Sequence, residues 1–127
     1  VLGAVVEMVH MATLVHDDVL DEADTRRRGL TVNRLRGNEA AVLLGDYLIA
    51  SAFHLCSSLD DQRLALAVGH ASMVMAAGEL LQIDHRDDLS IDEPTYFEIV
   101  ERKTAALIGV SCELGARASG ASDDHVR

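Results

Sequence analysis

Three aspartates near the start of the chain are spaced so that their side chains can act together. Asp17 and Asp21 lie four residues apart and Asp18 and Asp21 three apart, so on a helix the three carboxylates share one face. Adjacent helical turns stand about 5.4 Å apart, which gives a repulsion of about 1–3 kcal/mol per pair at effective dielectric constants of 80 to 20. We call these residues the aspartate cluster, and their repulsion indicates that a cation binds there.

A hard divalent cation with oxygen ligands, above all Mg²⁺, fits the aspartate cluster. Mg²⁺ takes one or two carboxylates and leaves its other positions to water and substrate phosphates. Arg26 and Arg27 follow in the sequence, and guanidinium groups bind phosphate through paired hydrogen bonds. These residues therefore predict a magnesium and diphosphate site. The alternative is a solvent-exposed helix end followed by a polar loop, which charge runs usually form.

The composition indicates a helical protein that does not bind nucleic acid. The 127 residues include 49% hydrophobic side chains, 3% aromatic side chains and one proline, and the net charge is −10. Helix-forming residues dominate and strand-forming ones are few, while the negative charge argues against nucleic acid and anionic membranes.

We expect no transmembrane segment, because no apolar run approaches about 20 residues. Cys56 and Cys112 show no metal spacing, so we expect reduced thiols and a cytoplasmic protein.

The apolar periodicity predicts one partial all-α domain over residues 1–127, with antiparallel helices joined by short loops. The first helix should end near Asp21, and residues 23–37 should form a loop. The other predicted helices are one from a cap at Asn38 to about Ser58, one from Asp60 or Asp61 to about Ile83, one from a capping box at Ser90–Glu93 to about Arg117, and one begun at Ser122. Because residue 1 resembles the middle of a helix, we expect a piece of a longer protein.

Polar residues on the later helices and next to the aspartate cluster are further candidates. Glu79 and Gln82 share one helix face, and either they are solvated or they line a polar cavity. Lys103 precedes Thr104 in mid-helix, where a lysine usually extends to solvent but would supply a further cation if it faced a cavity. His16 adjoins the carboxylates and is a candidate to orient them.

Several of these residues belong to motifs that resemble those of the trans-isoprenyl diphosphate synthases, most closely the long-chain members. The stretch from His16 to Arg27 is similar to the first aspartate-rich motif of that family. The resemblance continues, in order, through Thr31-Val32-Asn33, Gly45-Asp46-Tyr47-Leu48, Gly78-Glu79-Leu80-Leu81-Gln82 and Lys103-Thr104-Ala105. It implies an all-α fold of antiparallel helices around a central cavity. It also implies head-to-tail condensation of isopentenyl diphosphate with an allylic diphosphate.

The resemblance assigns roles to individual residues. The aspartate cluster would hold Mg²⁺ that activates the departing diphosphate. Arg26 would contact the allylic diphosphate and Arg27 the isopentenyl diphosphate. Lys103 would contact the leaving group, Thr104 would stabilise the carbocation with its oxygen dipoles, and Gln82 would line the cavity.

Product length in this family depends on residues one turn before the first aspartate. Ala12 and Thr13 occupy those positions, with Val9 one turn deeper. Short-chain enzymes tend to place aromatic rings at the level of Ala12, so a methyl group there implies a medium- or long-chain product.

The chain departs from the family pattern in ways that leave two alternatives. The second aspartate-rich motif and the basic segment that grips isopentenyl diphosphate are absent from these 127 residues, so we expect no turnover from them alone. Arg28 stands where many members have glycine, and Leu30 where many have proline. We expect a homodimeric synthase, because the second and third helices are apolar nearly all round. The alternatives are a non-catalytic partner subunit and a terpene cyclase.

Overall fold

The computed structural model describes residues 1–126, except for the side chain of Asp123, and confirms an all-α protein. In chain order its elements are α1 (Leu2–Leu20), β1 (Thr25–Arg26), β2 (Gly29–Leu30), α2 (Val32–Arg36), α3 (Asn38–Ser57), α4 (Gln62–Asp84), α5 (Glu93–Val100), a π-helical turn (Glu101–Ala105), α6 (Ala106–Ala118) and α7 (Asp123–Val126). The chain forms two compact units, the first over Val1–Asp60 and the second from Asp61 onward. The expectation of one partial domain stays a prediction.

The first unit is held together by the packing of α1 on α3. Buried side chains at intervals of three or four residues form one stripe along α1: Val5, Val9, Ala12, Val15 and Asp18. On α3, Ala41, Gly45, Ala52 and Cys56 are buried, and such small side chains allow two helices to approach closely. A Cβ added at Gly45 would overlap the His16 ring. A side chain at position 45 would therefore force the histidine out of its place.

The predicted loop over residues 23–37 contains structure that the sequence did not indicate. β1 and β2 pair antiparallel, with Thr25 opposite Leu30 and Arg26 opposite Gly29. The two residues between the strands, Arg27 and Arg28, have φ of +47° and +72°. A two-residue hairpin loop with positive φ at both positions favours Asn-Gly or Gly-Gly. The prediction of an irregular loop is therefore wrong over β1, β2 and α2.

The backbone at Arg28 explains why glycine fits this position. Left-handed backbone costs a non-glycine residue about 1–2 kcal/mol, and glycine is free of that cost but loses more chain entropy on folding. We expect Arg28→Gly to raise the free energy of unfolding by about 1 kcal/mol. Thermal denaturation of the complete protein measures this. Arg36→Gly, on the exposed end of α2, is the control that should lower stability, and a fall with Arg28→Gly would contradict the prediction.

The second unit packs α4 against the helical segment formed by α5, the π turn and α6. On α4 the buried side chains are Leu64, Val68, Ala71 and Met75. Facing them are Ile99, Val110 and Leu114. A Cβ added at Gly78 would lie 2.7 Å from the backbone nitrogen of Lys103 and 2.7 Å from the Arg102 Cβ. α4 therefore approaches the backbone of the π turn closely at this glycine. The sequence predicted one regular helix here, and the π turn is a correction.

Of the predicted helix caps, the one at Asp61 is confirmed, and those of α3 and α5 differ from the prediction. The Asp61 side chain accepts a hydrogen bond from the Arg63 backbone N–H at 3.0 Å, which confirms the cap of α4. α5 is capped by Asp92, whose side chain accepts from the Thr95 N–H at 2.9 Å. The predicted capping box at Ser90 is wrong because both the backbone N–H and the hydroxyl of Ser90 donate to Asp88. α3 begins at Asn38, which is its first residue rather than its cap.

α3 and α4 are long and apolar enough to cross a membrane, judged by length and composition only. This corrects the expectation that no stretch approaches that length. The core helices of soluble proteins pass the same test, so the finding is weak evidence of a membrane segment.

Candidate functional site

The aspartate cluster lies at the carboxyl end of α1, and its three residues differ in burial. Asp18 continues the buried stripe and is 5% exposed. Asp17 is half-buried and Asp21, the residue that ends the helix, is exposed. At about 100° per residue, Asp21 lies between the other two around the axis, about 40° from Asp17 and about 60° from Asp18. Thr13 lies one turn before Asp17 on the same face.

Asp18 is bound by Arg26 of the hairpin. The Arg26 Nε lies 2.9 Å from Oδ1 and 3.1 Å from Oδ2 of Asp18, and its Nη2 lies 2.8 Å from Oδ1. The hydrogen bond with Asp18 raises the pKa of Arg26 against the opposing effect of burial, and the charges of Asp18, Asp17 and Asp21 add to the rise. All three carboxylates therefore act on this one guanidinium group. Asp18 positions an arginine, a contact that the sequence analysis did not assign to it.

Asp17 and Asp21 form the part of the cluster that suits a cation. They carry negative charge at a helix carboxyl end, where the helix dipole disfavours it, and the last turn of α1 contains no basic residue. Within residues 1–126, no group of three or more His, Cys, Asp or Glu side chains is arranged to hold a metal ion. Two carboxylates that share their ion with substrate phosphates and water are what Mg²⁺ uses. The donor set therefore fits Mg²⁺ rather than a closed structural metal site.

Thr31 and Asn33, whose part in the site the sequence analysis did not recognise, connect the hairpin to the end of α1. The buried Thr31 hydroxyl donates to the Ala23 carbonyl at 2.7 Å. Asn33 Nδ2 lies 3.1 Å from the same carbonyl and 3.2 Å from the Asp18 carbonyl. These bonds satisfy carbonyl groups that a helix end leaves open, and they fix the hairpin that carries Arg26. The signal in the sequence was the Thr31-Val32-Asn33 motif, whose position alone gave no partner.

His16 contacts α3 rather than orienting the aspartate cluster. Its Nε2 lies 3.1 Å from the Val42 carbonyl oxygen and 3.4 Å from Asp46 Oδ1. The ring also packs on Gly45. The prediction that His16 orients the carboxylates is therefore wrong, and the side chain ties α1 to α3.

Arg27 and the chain-length candidates occupy different environments in the first unit. Arg27 is exposed at the tip of the hairpin, where its guanidinium group is accessible to an anion. Ala12 and Val9 belong to the buried stripe, with 0% and 2% of their surface exposed. Thr13 is half-buried, and its hydroxyl donates to the His10 carbonyl at 2.8 Å. Of these three positions, Thr13 is the one that shares the face of Asp17.

The second unit carries the other predicted site residues. The Lys103 ammonium group forms an ion pair with Glu79 of α4. Thr104 follows in the π turn and is exposed, while Gln82 is half-buried one turn after Glu79. A pocket of about 680 Å³ also lies in this unit, but Gln82, Lys103 and Thr104 are not among its lining residues.

Comparison with known proteins gives consistent matches over the whole chain. Residues 1–127 match the family model described as "Polyprenyl synthetase". Octaprenyl diphosphate synthase from Escherichia coli is 36% identical over 124 residues, which is 98% of this chain and 38% of that protein. Nonaprenyl diphosphate synthase from Mycobacterium tuberculosis is 37% identical over 126 residues, 99% of this chain and 37% of that protein. The chain thus spans less than two fifths of the length of these relatives.

Solved structures show the same fold. A decaprenyl diphosphate synthase from Rhodobacter capsulatus has a TM-score of 0.95 at 42% identity, covering 98% of this chain and 38% of that one. A polyprenyl synthase from Caulobacter crescentus, complexed with calcium and isoprenyl diphosphate, has a TM-score of 0.93 at 38% identity, covering 95% and 37%. The all-α fold of the chain is therefore that of known prenyl-chain synthases.

Proposed function

Since the chain belongs to the polyprenyl synthetase family, we propose that the whole protein is a prenyltransferase. Its reaction is the head-to-tail condensation of isopentenyl diphosphate with an allylic diphosphate, which gives a medium- to long-chain all-trans polyprenyl diphosphate. The allylic C–O bond breaks, diphosphate leaves with the electron pair, and the double bond of isopentenyl diphosphate attacks the carbocation. Loss of a proton then restores a double bond.

The observation that carries this proposal is the different burial and contacts of the three residues of the aspartate cluster. Asp18 is buried and holds Arg26 through three short contacts, while Asp17 is half-buried and Asp21 is exposed. One helix end therefore presents a pair of carboxylates for a divalent cation beside a fixed guanidinium group for a phosphate. The Caulobacter crescentus neighbour, complexed with calcium and isoprenyl diphosphate, supports the same combination of ligands.

Each residue of the site has a distinct task in this proposal. Asp17 and Asp21 would hold Mg²⁺, and Asp18 contributes by holding Arg26; its own role as a metal ligand stays a prediction. The chemistry that Mg²⁺ supplies at such a site is Lewis-acid stabilisation of charge on the departing diphosphate. Arg26 binds the allylic diphosphate, and Arg27 at the hairpin tip binds isopentenyl diphosphate.

The second unit contributes residues to the same proposed reaction. Lys103 donates to the leaving diphosphate, and the Thr104 oxygen faces the positive charge that develops on the allylic carbon. Gln82 lines the cavity that receives the hydrocarbon chain. The chain-length set is Ala12, Thr13 and Val9, and the names of the relatives, octaprenyl and nonaprenyl diphosphate synthase, favour a long product.

We also propose that the whole protein is a cytoplasmic homodimer. Val42, Leu43, Leu44 and Tyr47 are exposed apolar side chains on one stretch of α3. Contiguous apolar surface of this kind is typical of an interface with another protein. A monomer mass by light scattering of the complete protein at working concentration would contradict the dimer.

The experiment that tests the function uses the protein from the complete reading frame. It is incubated with labelled isopentenyl diphosphate, allylic primers of several lengths and Mg²⁺, and the products are separated by chromatography. We expect a ladder of products that ends in a long prenyl chain. No elongation with any primer would contradict the proposal.

A non-catalytic subunit of a heteromeric prenyltransferase is the second candidate. One relative, 36% identical over 122 residues, is named heptaprenyl diphosphate synthase component 2 in Bacillus subtilis, and that name favours an enzyme of more than one component. Primer binding that depends on Mg²⁺, without elongation, would favour this candidate or a terpene cyclase. A product ladder from the protein alone would exclude both.

A further inference from the structure

The ion pair between Lys103 and Glu79 is largely removed from solvent. The two side chains are 23% and 14% exposed. The Oε1 atom of Glu79 is buried and has no hydrogen-bond partner among the described residues. A carboxylate with an open oxygen is costly to bury unless its charge is compensated. The ammonium group of Lys103 provides that compensation, and Glu79 in turn gives the ammonium group an anionic contact on α4.

The backbone around this pair is fixed by close packing. α4 and the π turn approach so closely at Gly78 that a Cβ there would lie 2.7 Å from the backbone nitrogen of Lys103. A π turn inserts an extra residue into a helix and so changes the direction in which the following side chains point. Gly78 sets the separation of the two helices, and its neighbour Glu79 provides the carboxylate that receives Lys103. Two adjacent residues of α4 thus determine where the ammonium group lies.

We propose that Glu79 is a positioning residue that holds the Lys103 ammonium group ready for the diphosphate. This inference rests on the proposed function, in which Lys103 donates to the leaving diphosphate. A lysine ammonium group has three donors, so it can keep its contact with Glu79 and still donate to phosphate oxygens. Its four-carbon stem is flexible and its charge strongly hydrated. Without Glu79, Lys103 loses this contact and is held less firmly when the diphosphate binds.

The test compares variants of the complete protein at position 79. Glu79→Gln retains an oxygen that accepts a hydrogen bond from Lys103, whereas Glu79→Ala removes it. We measure the affinity for inorganic diphosphate in the presence of Mg²⁺ by calorimetry, together with kcat and KM for the allylic substrate. Glu79→Ala should bind diphosphate about tenfold more weakly, because Lys103 loses the anionic contact that holds it on α4, while Glu79→Gln stays within about threefold of the native protein.

Glu98→Ala is the matched control. Glu98 forms an ion pair with Arg102 on the same helical segment, but both side chains are over 40% exposed, and exposed pairs contribute little. We expect native diphosphate affinity from this variant. Native affinity in Glu79→Ala, or a loss in Glu79→Gln as large as in Glu79→Ala, would overturn the inference.

A double variant separates positioning from a general effect on folding. If Glu79 acts through Lys103, then Glu79→Ala should cause no further loss of diphosphate affinity in a Lys103→Ala background. A full additional loss would overturn the inference while leaving the role of Lys103 intact. Native diphosphate affinity in Lys103→Ala alone would instead overturn the proposed role of Lys103, and the inference with it.

Discussion

Replacing either Asp17 or Asp21 by alanine should abolish Mg²⁺-dependent diphosphate binding by the complete protein. Each variant removes one of the two carboxylates proposed to hold the cation at the end of α1. Even residues that only support a metal ligand are worth about 10–100-fold in affinity, so the loss for a direct ligand should reach about 100-fold or more. Calorimetric titration with inorganic diphosphate, with and without Mg²⁺, measures the effect.

The alternative of a solvent-exposed helix end followed by a polar loop makes the opposite prediction for the same variants. If Asp17 and Asp21 bind nothing, each substitution relieves repulsion at a helix end that already disfavours negative charge. The thermal midpoint would then rise and diphosphate binding would not change. Asp24→Asn is the matched control, because Asp24 carries the same charge nearby but is exposed and contacts Arg34 at 3.5 Å. It should leave Mg²⁺-dependent binding within about twofold of native, as expected for an exposed ion pair.

The two long helices of the first unit, α1 and α3, could be predicted because their apolar residues repeat at helical spacing. α1 and α3 end within one or two residues of their predicted positions, which is the usual uncertainty of helix ends. The hairpin could not be predicted in this way. Its loop places Arg27 and Arg28 in left-handed backbone, where sequence patterns lead one to expect glycine or asparagine. The bonds of Thr31 and Asn33 hold that hairpin, and they join residues far apart in sequence.

The π turn could not be predicted for a related reason. The apolar pattern predicts one helix from the capping box at Ser90–Glu93 to about Arg117. The extra residue of the π turn is not visible in that pattern. What is visible in the structure is the close approach of Gly78 to Lys103, a contact between residues 25 positions apart. Glycine in the middle of α4 was the sequence signal, because glycine weakens a helix unless close packing requires it.

The sequence names residues for the candidate site but does not give their arrangement. Spacing placed all three carboxylates on one face, and it could not show that Asp18 lies on the buried stripe. The hairpin brings Arg26 to Asp18, and this contact distinguishes Asp18 from Asp17. Adjacent aspartates on one helix thus receive different tasks from the element that packs on them.

The second large effect concerns product length, and it follows from the different faces of α1 on which Thr13 and Ala12 lie. Thr13 precedes Asp17 by one turn on the same face and is half-buried, whereas Ala12 is fully buried on the stripe. A phenylalanine at position 13 would place its ring beside the diphosphate end of the growing chain, about 5.4 Å along the helix from Asp17. We expect Thr13→Phe to shorten the longest product of the complete protein. Chromatography of the labelled products measures the distribution.

Ala12→Phe is the comparison that separates a blocked tunnel from a disturbed core. A ring at a position with no exposed surface overpacks the core, which typically costs about 1–3 kcal/mol. We expect Ala12→Phe to lower the thermal midpoint more than Thr13→Phe does, although the family resemblance associates an aromatic ring at the level of Ala12 with short products. If Thr13→Phe makes the native range of products, Thr13 does not face the growing chain. If Ala12→Phe shortens the product at native stability, the tunnel instead follows the buried stripe of α1.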